Sequence, residues 1–135
     1  MLCLDTNVVV ALLAGRRSAV RSRFDEARLV GAPLALSVVV LFELQFGAAN
    51  SARPESNRRA LDAFLESGVE VLVFDREDAT EAGAIRAHLR ARGKPIGPYD
   101  ILIAAQARRR GATLVTSNVR EFERVPELLV VDWAA

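Results

Sequence analysis

The chain contains one cysteine, Cys3, one tryptophan and one histidine, His88. A lone cysteine cannot close an intramolecular disulfide, so the fold must rest on its core. A single histidine excludes a two-histidine ribonuclease and, with cysteine so scarce, leaves no ligand set that zinc favours. No stretch approaches the roughly 18 apolar residues of a membrane-spanning helix, because Glu43 interrupts the run that begins VVVLF. The opening MLCLDTN has neither the basic segment nor the apolar segment of a secretory leader, so the cytosol is the expected compartment. Walker A, GxGxxG and GxSxG motifs are missing, which removes support for nucleotide hydrolysis, dinucleotide binding and serine-hydrolase chemistry. A charge excess is missing too, with 18 basic against 17 acidic residues, so any affinity for nucleic acid must come from a local cluster.

What is present is ample apolar sequence: 135 residues, 51% hydrophobic and 26% charged, enough for one globular domain spanning residues 1–135. The pattern alternates strands and helices. LCL reads as a strand ending at Asp5, and TNVVVALLAG as a helix closed by Gly15. A second helix runs from Ser18 to Leu29, with Val20, Phe24, Ala27 and Leu29 as its apolar positions. PLALS is a strand, and Ser37 is placed to cap the helix VVVLFELQFGAA. Pro54 opens a fourth helix on which Leu61, Phe64 and Leu65 recur. VEVLVF is a strand, Asp75 caps a helix reaching about Gly93, and Pro98 opens another reaching Gly111. ATLVTS, a short helix from Glu121 to Val125, and a possible last strand LLVVDW complete an α/β fold with a mostly parallel sheet of four to five strands.

In an open parallel sheet, ligands bind beyond the carboxyl ends of the strands, where loops and helix N-termini meet. Asp5, Glu43, Asp100 and the segment from Thr116 to Glu121 can share that edge. Each has an ordinary alternative. Asp5 can cap a helix, Asp100 can complement a helix dipole, and Glu43 can lie on a solvated face despite its apolar neighbours. Grouped carboxylates repel one another, so their coexistence calls for protonation or a cation, and an oxygen-only donor set suits Mg²⁺, with Mn²⁺ as substitute. Cys3 reads as a structural residue in a strand and His88 as a surface residue on a helix.

The stretches LCLDTNVVVALLAG, VVLFELQFG, IGPYDILIAAQARRRGATLVTSNVREFERV and the closing VVDW together resemble the PIN-domain family, and more narrowly its VapC-type toxin ribonucleases. The resemblance covers nearly the whole chain and is weakest between about Arg53 and Arg92. It implies a PIN-like domain and a metal-dependent endoribonuclease in which a metal-activated water cuts the RNA chain. It also implies that Asp5, Glu43 and Asp100 hold metal, with Thr6, Asn7 and Thr116 in support. At the family's fourth acidic position this sequence has Asn118, with a carboxylate at Glu121 about one turn later. Glu121 is the expected fourth ligand, with Asn118 as a neutral ligand or phosphate contact.

For RNA contacts, Arg86, Arg90 and Lys94 fall at four-residue spacing on one stripe, although such a stripe can be a solvated face. Tyr99 can stack on a base or pack against its neighbours. The triplet Arg108 to Arg110 ends a helix, where the dipole accounts for it at least as well as a substrate does. The implied partners are RNA and a small VapB-like antitoxin, in a homodimer or toxin-antitoxin hetero-oligomer. Leu41, Phe42, Leu44 and Phe46 nearly encircle one helix, which favours core but leaves part of that surface for another chain. Two other readings remain: a PIN nuclease that processes RNA without being a toxin, and a catalytically silent PIN-fold binding subunit.

Overall fold

The computed structural model describes residues 1–135. Five short strands, β1 (Leu2–Leu4), β2 (Leu34–Ser37), β3 (Glu70–Leu72), β4 (Thr113–Val115) and β5 (Leu129–Val131), form one sheet in the order β3-β2-β1-β4-β5. Every pairing is parallel, so the α/β expectation holds and all five expected strands are present. The strand order places β1 at the centre, with its immediate successors on one side and the last two strands on the other. The switch point of the topology therefore opens between β1 and β4, where the rule for parallel sheets puts a ligand.

Seven helices connect the strands: α1 (Thr6–Leu13), α2 (Ala19–Leu29), α3 (Val38–Ala49), α4 (Pro54–Leu65), α5 (Arg76–Ala91), α6 (Pro98–Arg109) and α7 (Val119–Phe122). Their starts follow local chemistry. Asp5, Ser18, Ser37 and Asp75 each accept a backbone N–H from the first turn, and Pro54 and Pro98 occupy the first helical position, where a missing N–H costs no hydrogen bond. Cys3, Leu4, Ala35, Leu36, Leu114 and Val115 fill the sheet interior, with Phe24 against Phe64 at 5.7 Å on one flank. Trp133 is buried after the last strand.

Several boundaries and faces depart from the sequence pattern. Leu29 is 88% exposed, because it is two residues beyond Ala27 and a helix carries it round to the opposite side of α2. On α3, Leu44 is buried whereas Phe42 and Phe46 are exposed, so the apolar ring around this helix divides between core and surface. The strand expected through Phe74 stops at Leu72, since Gln106 Nε2 donates to the carbonyls of Leu72 (3.2 Å) and Val73 (2.9 Å). The last helix begins at Val119, ahead of Glu121. Beyond α5, Gly93 turns the chain through a left-handed conformation (φ 66°), and Lys94 leaves the stripe on which Arg86 and Arg90 remain.

One buried charge ties the helical layer together. Asp78 is fully buried on α5, where it completes a reciprocal capping box with Asp75. Its carboxylate accepts from Arg109 Nε (2.7 Å) and Arg110 Nη1 (2.8 Å), and these guanidinium groups hold it well below the usual carboxylate range. The arginines ending α6 thus serve a specific acid as well as the helix dipole. Arg108 reaches Glu81 at 3.0 Å and so docks the same two helices. Removing one partner of a buried pair strands the other. We expect Asp78→Ala to lower the free energy of unfolding by about 3 kcal/mol, towards the low end of the usual range because both arginines keep access to water. Urea denaturation would measure it, and a loss of only a few tenths would refute the importance of this network.

Candidate active site

At the carboxyl end of β1 the chain turns directly into α1, and the turning residue is Asp5, 4% exposed. Its Oδ1 accepts the Thr6 amide at 2.9 Å, which is the expected capping bond. Its Oδ2 does something a cap does not require. It accepts the Thr116 hydroxyl at 2.7 Å and the Asn7 side-chain amide at 3.3 Å. Thr116 directly follows β4, so the hydroxyl bridges the switch point between the two central strands. Burial raises the Asp5 pKa, the hydrogen bonds from Thr116 and Thr6 oppose that rise, and the charge on Glu121 adds to it.

The supporting polar residues each hold something. Thr6 donates to Glu43 Oε1 at 2.7 Å, fixing on α3 an acid about two turns into the helix. Asn7 Oδ1 accepts the Ser117 amide at 3.2 Å and so ties the post-β4 loop to α1. The Asn118 amide donates to Thr116 Oγ1 at 3.0 Å, and the Asn118 side chain donates to Glu121 Oε2. Asn118 is thus an orienting residue for Glu121, which clarifies the division of labour between the two. Glu121 Oε1 also accepts the Gly97 amide at 2.9 Å.

Gly97, the cap of α6, is a site residue that the sequence reading did not single out. A Cβ there would lie 3.3 Å from Asp100 Oδ2 and 3.9 Å from Glu121 Oε1. The missing side chain lets two carboxylates approach one backbone. The signal was present in IGPYD, where glycine precedes the helix-opening proline, but a helix start alone explains that pair.

Asp100 is the electrostatic focus. Burial raises its pKa to about 7, assisted by its hydrogen bond with Glu121 and by the charges of Glu121, Asp5 and Glu43. Glu121 moves the opposite way, because the Gly97 amide, Asp100, Asn118 and Arg124 favour its charged form over the cost of burial. The two neighbouring acids thus shift in opposite directions, Asp100 upward and Glu121 downward. Asp5, Glu43 and Glu121 all act on Asp100, and Glu121 acts on Asp5 as well. No three of them close into a ready-formed ligand cage. The donor set nevertheless fits a hard cation: carboxylate oxygens, anchored by neutral hydroxyl and amide donors, with mutual repulsion that a positive charge would relieve.

The remaining candidates are elsewhere. Tyr99 is half exposed and packs edge to face on Phe42 at 5.6 Å, so the packing expectation is met while one side of the ring pair faces outward. Arg86 and Arg90 flank Pro98 and Ile101, whereas Lys94 lines a separate groove. Cys3 is buried and its thiol is pushed up to about 11, as expected of a structural residue. His88 is half buried on α5.

A parallel sheet whose switch point gathers four carboxylates defines a class of acidic-site α/β proteins. Residues 2–128 match the family model described as PIN domain, and the chain belongs to that family. It is similar to a tRNA(fMet)-specific endonuclease VapC of Shigella flexneri, 42% identical over 131 residues, 97% of this chain and 96% of the relative. A protein of the same description from Salmonella typhimurium is 40% identical over 130 residues, 96% of either chain. Among solved structures, VapBC2 from Rickettsia felis, bound to a DNA fragment from their promoter, superposes with a TM-score of 0.91 at 34% identity and 98% coverage of both chains. DNA-bound VapBC from Salmonella typhimurium gives 0.89 at 39% identity, covering 98% of this chain and 97% of the other.

The Asp100 shift has a consequence for stability. Its folded-state value lies above the ordinary carboxylate value of about 3.9, so the native state holds the proton more tightly than the unfolded chain does. In chelator-treated protein this contribution is intact below about pH 4 and is lost as pH rises through about 7. Asp100→Asn, neutral at every pH, is therefore expected to melt higher than the parent chain at pH 8, with the difference vanishing near pH 4. An Asn variant that melts no higher at pH 8 would contradict the carboxylate repulsion.

Proposed function

We propose that the chain is an endoribonuclease of the VapC type, the toxin of a toxin-antitoxin pair, cutting RNA by metal-dependent hydrolysis. The observation that carries this reading is the group of Asp5, Glu43, Asp100 and Glu121 at the switch point of a PIN fold, with Asp100 raised to about 7 by burial and by its acidic neighbours. Relatives named VapC endonucleases or ribonucleases support the ribonuclease reading, and VapBC complexes among the structural neighbours support a VapB-like antitoxin partner.

Asp5 and Asp100 are the residues best placed to hold Mg²⁺ or Mn²⁺, with Glu43 and Glu121 completing the oxygen donors. When bound, such an ion supplies an acidified water and charge stabilisation for the departing oxygen. The protein supplies placement. Thr116 and Thr6 fix the Asp5 and Glu43 carboxylates, while Gly97 and Asn118 aim Glu121. No side-chain nucleophile is required, consistent with a buried Cys3 and a histidine absent from the site. The exposed Phe42–Tyr99 pair flanks Glu43 and Asp100 in sequence and offers a stacking surface for a splayed base.

The direct test is cleavage of cellular RNA with end sequencing in Mg²⁺. Asp5→Asn and Asp100→Asn should lose at least about 100-fold in rate, as expected when a transition-state electrostatic group is removed. Full cleavage by both would overturn the proposal. In the absence of RNA, Mn²⁺ should raise the melting temperature, by the equivalent of about 2.7 kcal/mol at a hundred times its dissociation constant. The shift should be lost in the Asp5→Asn chain, and no shift for the parent would count against the metal.

A further inference from the structure

A groove of about 870 Å³ lies outside the acidic site, between the end of α5, the turn that follows it and α7. His88, Arg92, Lys94, Arg120 and Arg124 line it, and Glu123 is its only acid. For a chain whose charges otherwise nearly cancel, this is a marked local excess. None of these basic residues is consumed by a salt bridge, whereas Arg108, Arg109 and Arg110 are all paired with acids. Arg92, Lys94, Arg120 and Arg124 are exposed, and beside these charged side chains the groove is lined by Leu89, Pro95 and Pro126.

The groove is joined to the acids by structure. Arg124 Nη1 donates to the Pro95 carbonyl at 3.0 Å, bracing the segment that continues through Ile96 to Gly97. Gly97 in turn donates to Glu121, and Arg120 and Arg124 flank Glu121 in sequence. Arg124 also acts on Glu121 at electrostatic range, helping to hold it charged. One wall of the basic groove is thus the back of the wall that carries the fourth acid.

Building on the ribonuclease reading, we infer that this groove is the track for the single-stranded RNA backbone on one side of the scissile phosphate, with Arg92, Lys94 and Arg120 as its phosphate contacts. Polyanion binding needs cations that are free and spaced along a path, and these meet both conditions. The expected α5 stripe does not, since Lys94 has left it for this groove. A groove lined mainly by charged and polar side chains is poorly suited to an amphipathic helix of a protein partner, which requires an apolar floor. Phosphates held here would place the following nucleotide at Glu121 and Asp100, and the Phe42–Tyr99 pair on α3 and α6 adjoins Glu43 and Asp100 in sequence.

The test measures binding of a short, fluorescent single-stranded RNA of mixed sequence in chelator, so that no cleavage is needed. The Arg92→Ala/Lys94→Ala/Arg120→Ala chain should bind at least about tenfold more weakly, and its log K against log salt slope should be shallower by about 2, at roughly 0.7 per lost phosphate contact. Its melting temperature should match the parent's, and Lys94→Glu alone should already weaken binding. Unchanged affinity and slope would overturn the track. An equal loss of binding for an acidic peptide of matching charge would also overturn it, in favour of a protein partner. The outcome is separable from the nuclease reading: a parent chain that binds RNA through this groove but never cleaves it in Mg²⁺ would sink the enzyme and spare the groove.

Discussion

The arrangement of this protein turns on repulsion between carboxylates brought together at the ends of β1 and β4. Asp5 is buried where the chain leaves the central strand, and it is tolerable there only because Thr6, Thr116 and Asn7 all donate to it. A buried anion without such donors would cost several kcal/mol. Burial, the hydrogen bond with Glu121 and the charges of Glu121, Asp5 and Glu43 together drive the Asp100 carboxyl up to about 7. The neutral residues around the acids follow from this constraint, for each has a hydroxyl or amide to donate and none adds charge. The site is a held electrostatic tension, which is the condition a divalent cation would relieve.

The same economy of charge governs the other side of α6. There Asp78 is buried as deeply as Asp5, yet its pKa moves the opposite way because two guanidinium groups face it. Burial alone therefore does not predict the state of an acid in this fold; the sign of its neighbours does. One acid is held by arginines and joins two helices, while Asp5 at the switch point is held by neutral donors alone. That contrast separates the helix-joining carboxylate from those at the switch point more sharply than burial or sequence context could. It also distinguishes the arginines ending α6, which pair with acids on α5, from Arg92, Arg120 and Arg124, which line the groove beside α7 without an acid partner.

Much of the architecture was legible in advance, because it depends on local chemistry. Capping residues at Asp5, Ser18, Ser37 and Asp75 and prolines at helix starts marked the helices, and apolar runs marked five strands that alternate with them. Membership of the PIN family followed from ordered motifs across nearly the whole chain. What failed was geometry beyond a few residues: Leu29 on the wrong face of α2, Lys94 beyond a left-handed glycine, and β3 stopped short by a side chain from another helix. Such departures are set by contacts between distant segments, which no periodicity records.

The sequence by itself determined that acids would stand at the ends of strands and beginnings of helices, since strand-to-helix turns are where Asp5 and Asp100 are cheapest to place. Tertiary structure alone decided that they act on one another. Thr116 reaches Asp5 across 111 positions, Gly97 admits Asp100 and Glu121 to one backbone, and Asn118 proves to orient an acid. The reason is physical. A cap is a bond between neighbours in the chain and can be read from them, whereas the mutual effect of two carboxylates depends on a distance that only the packed sheet and its helices set.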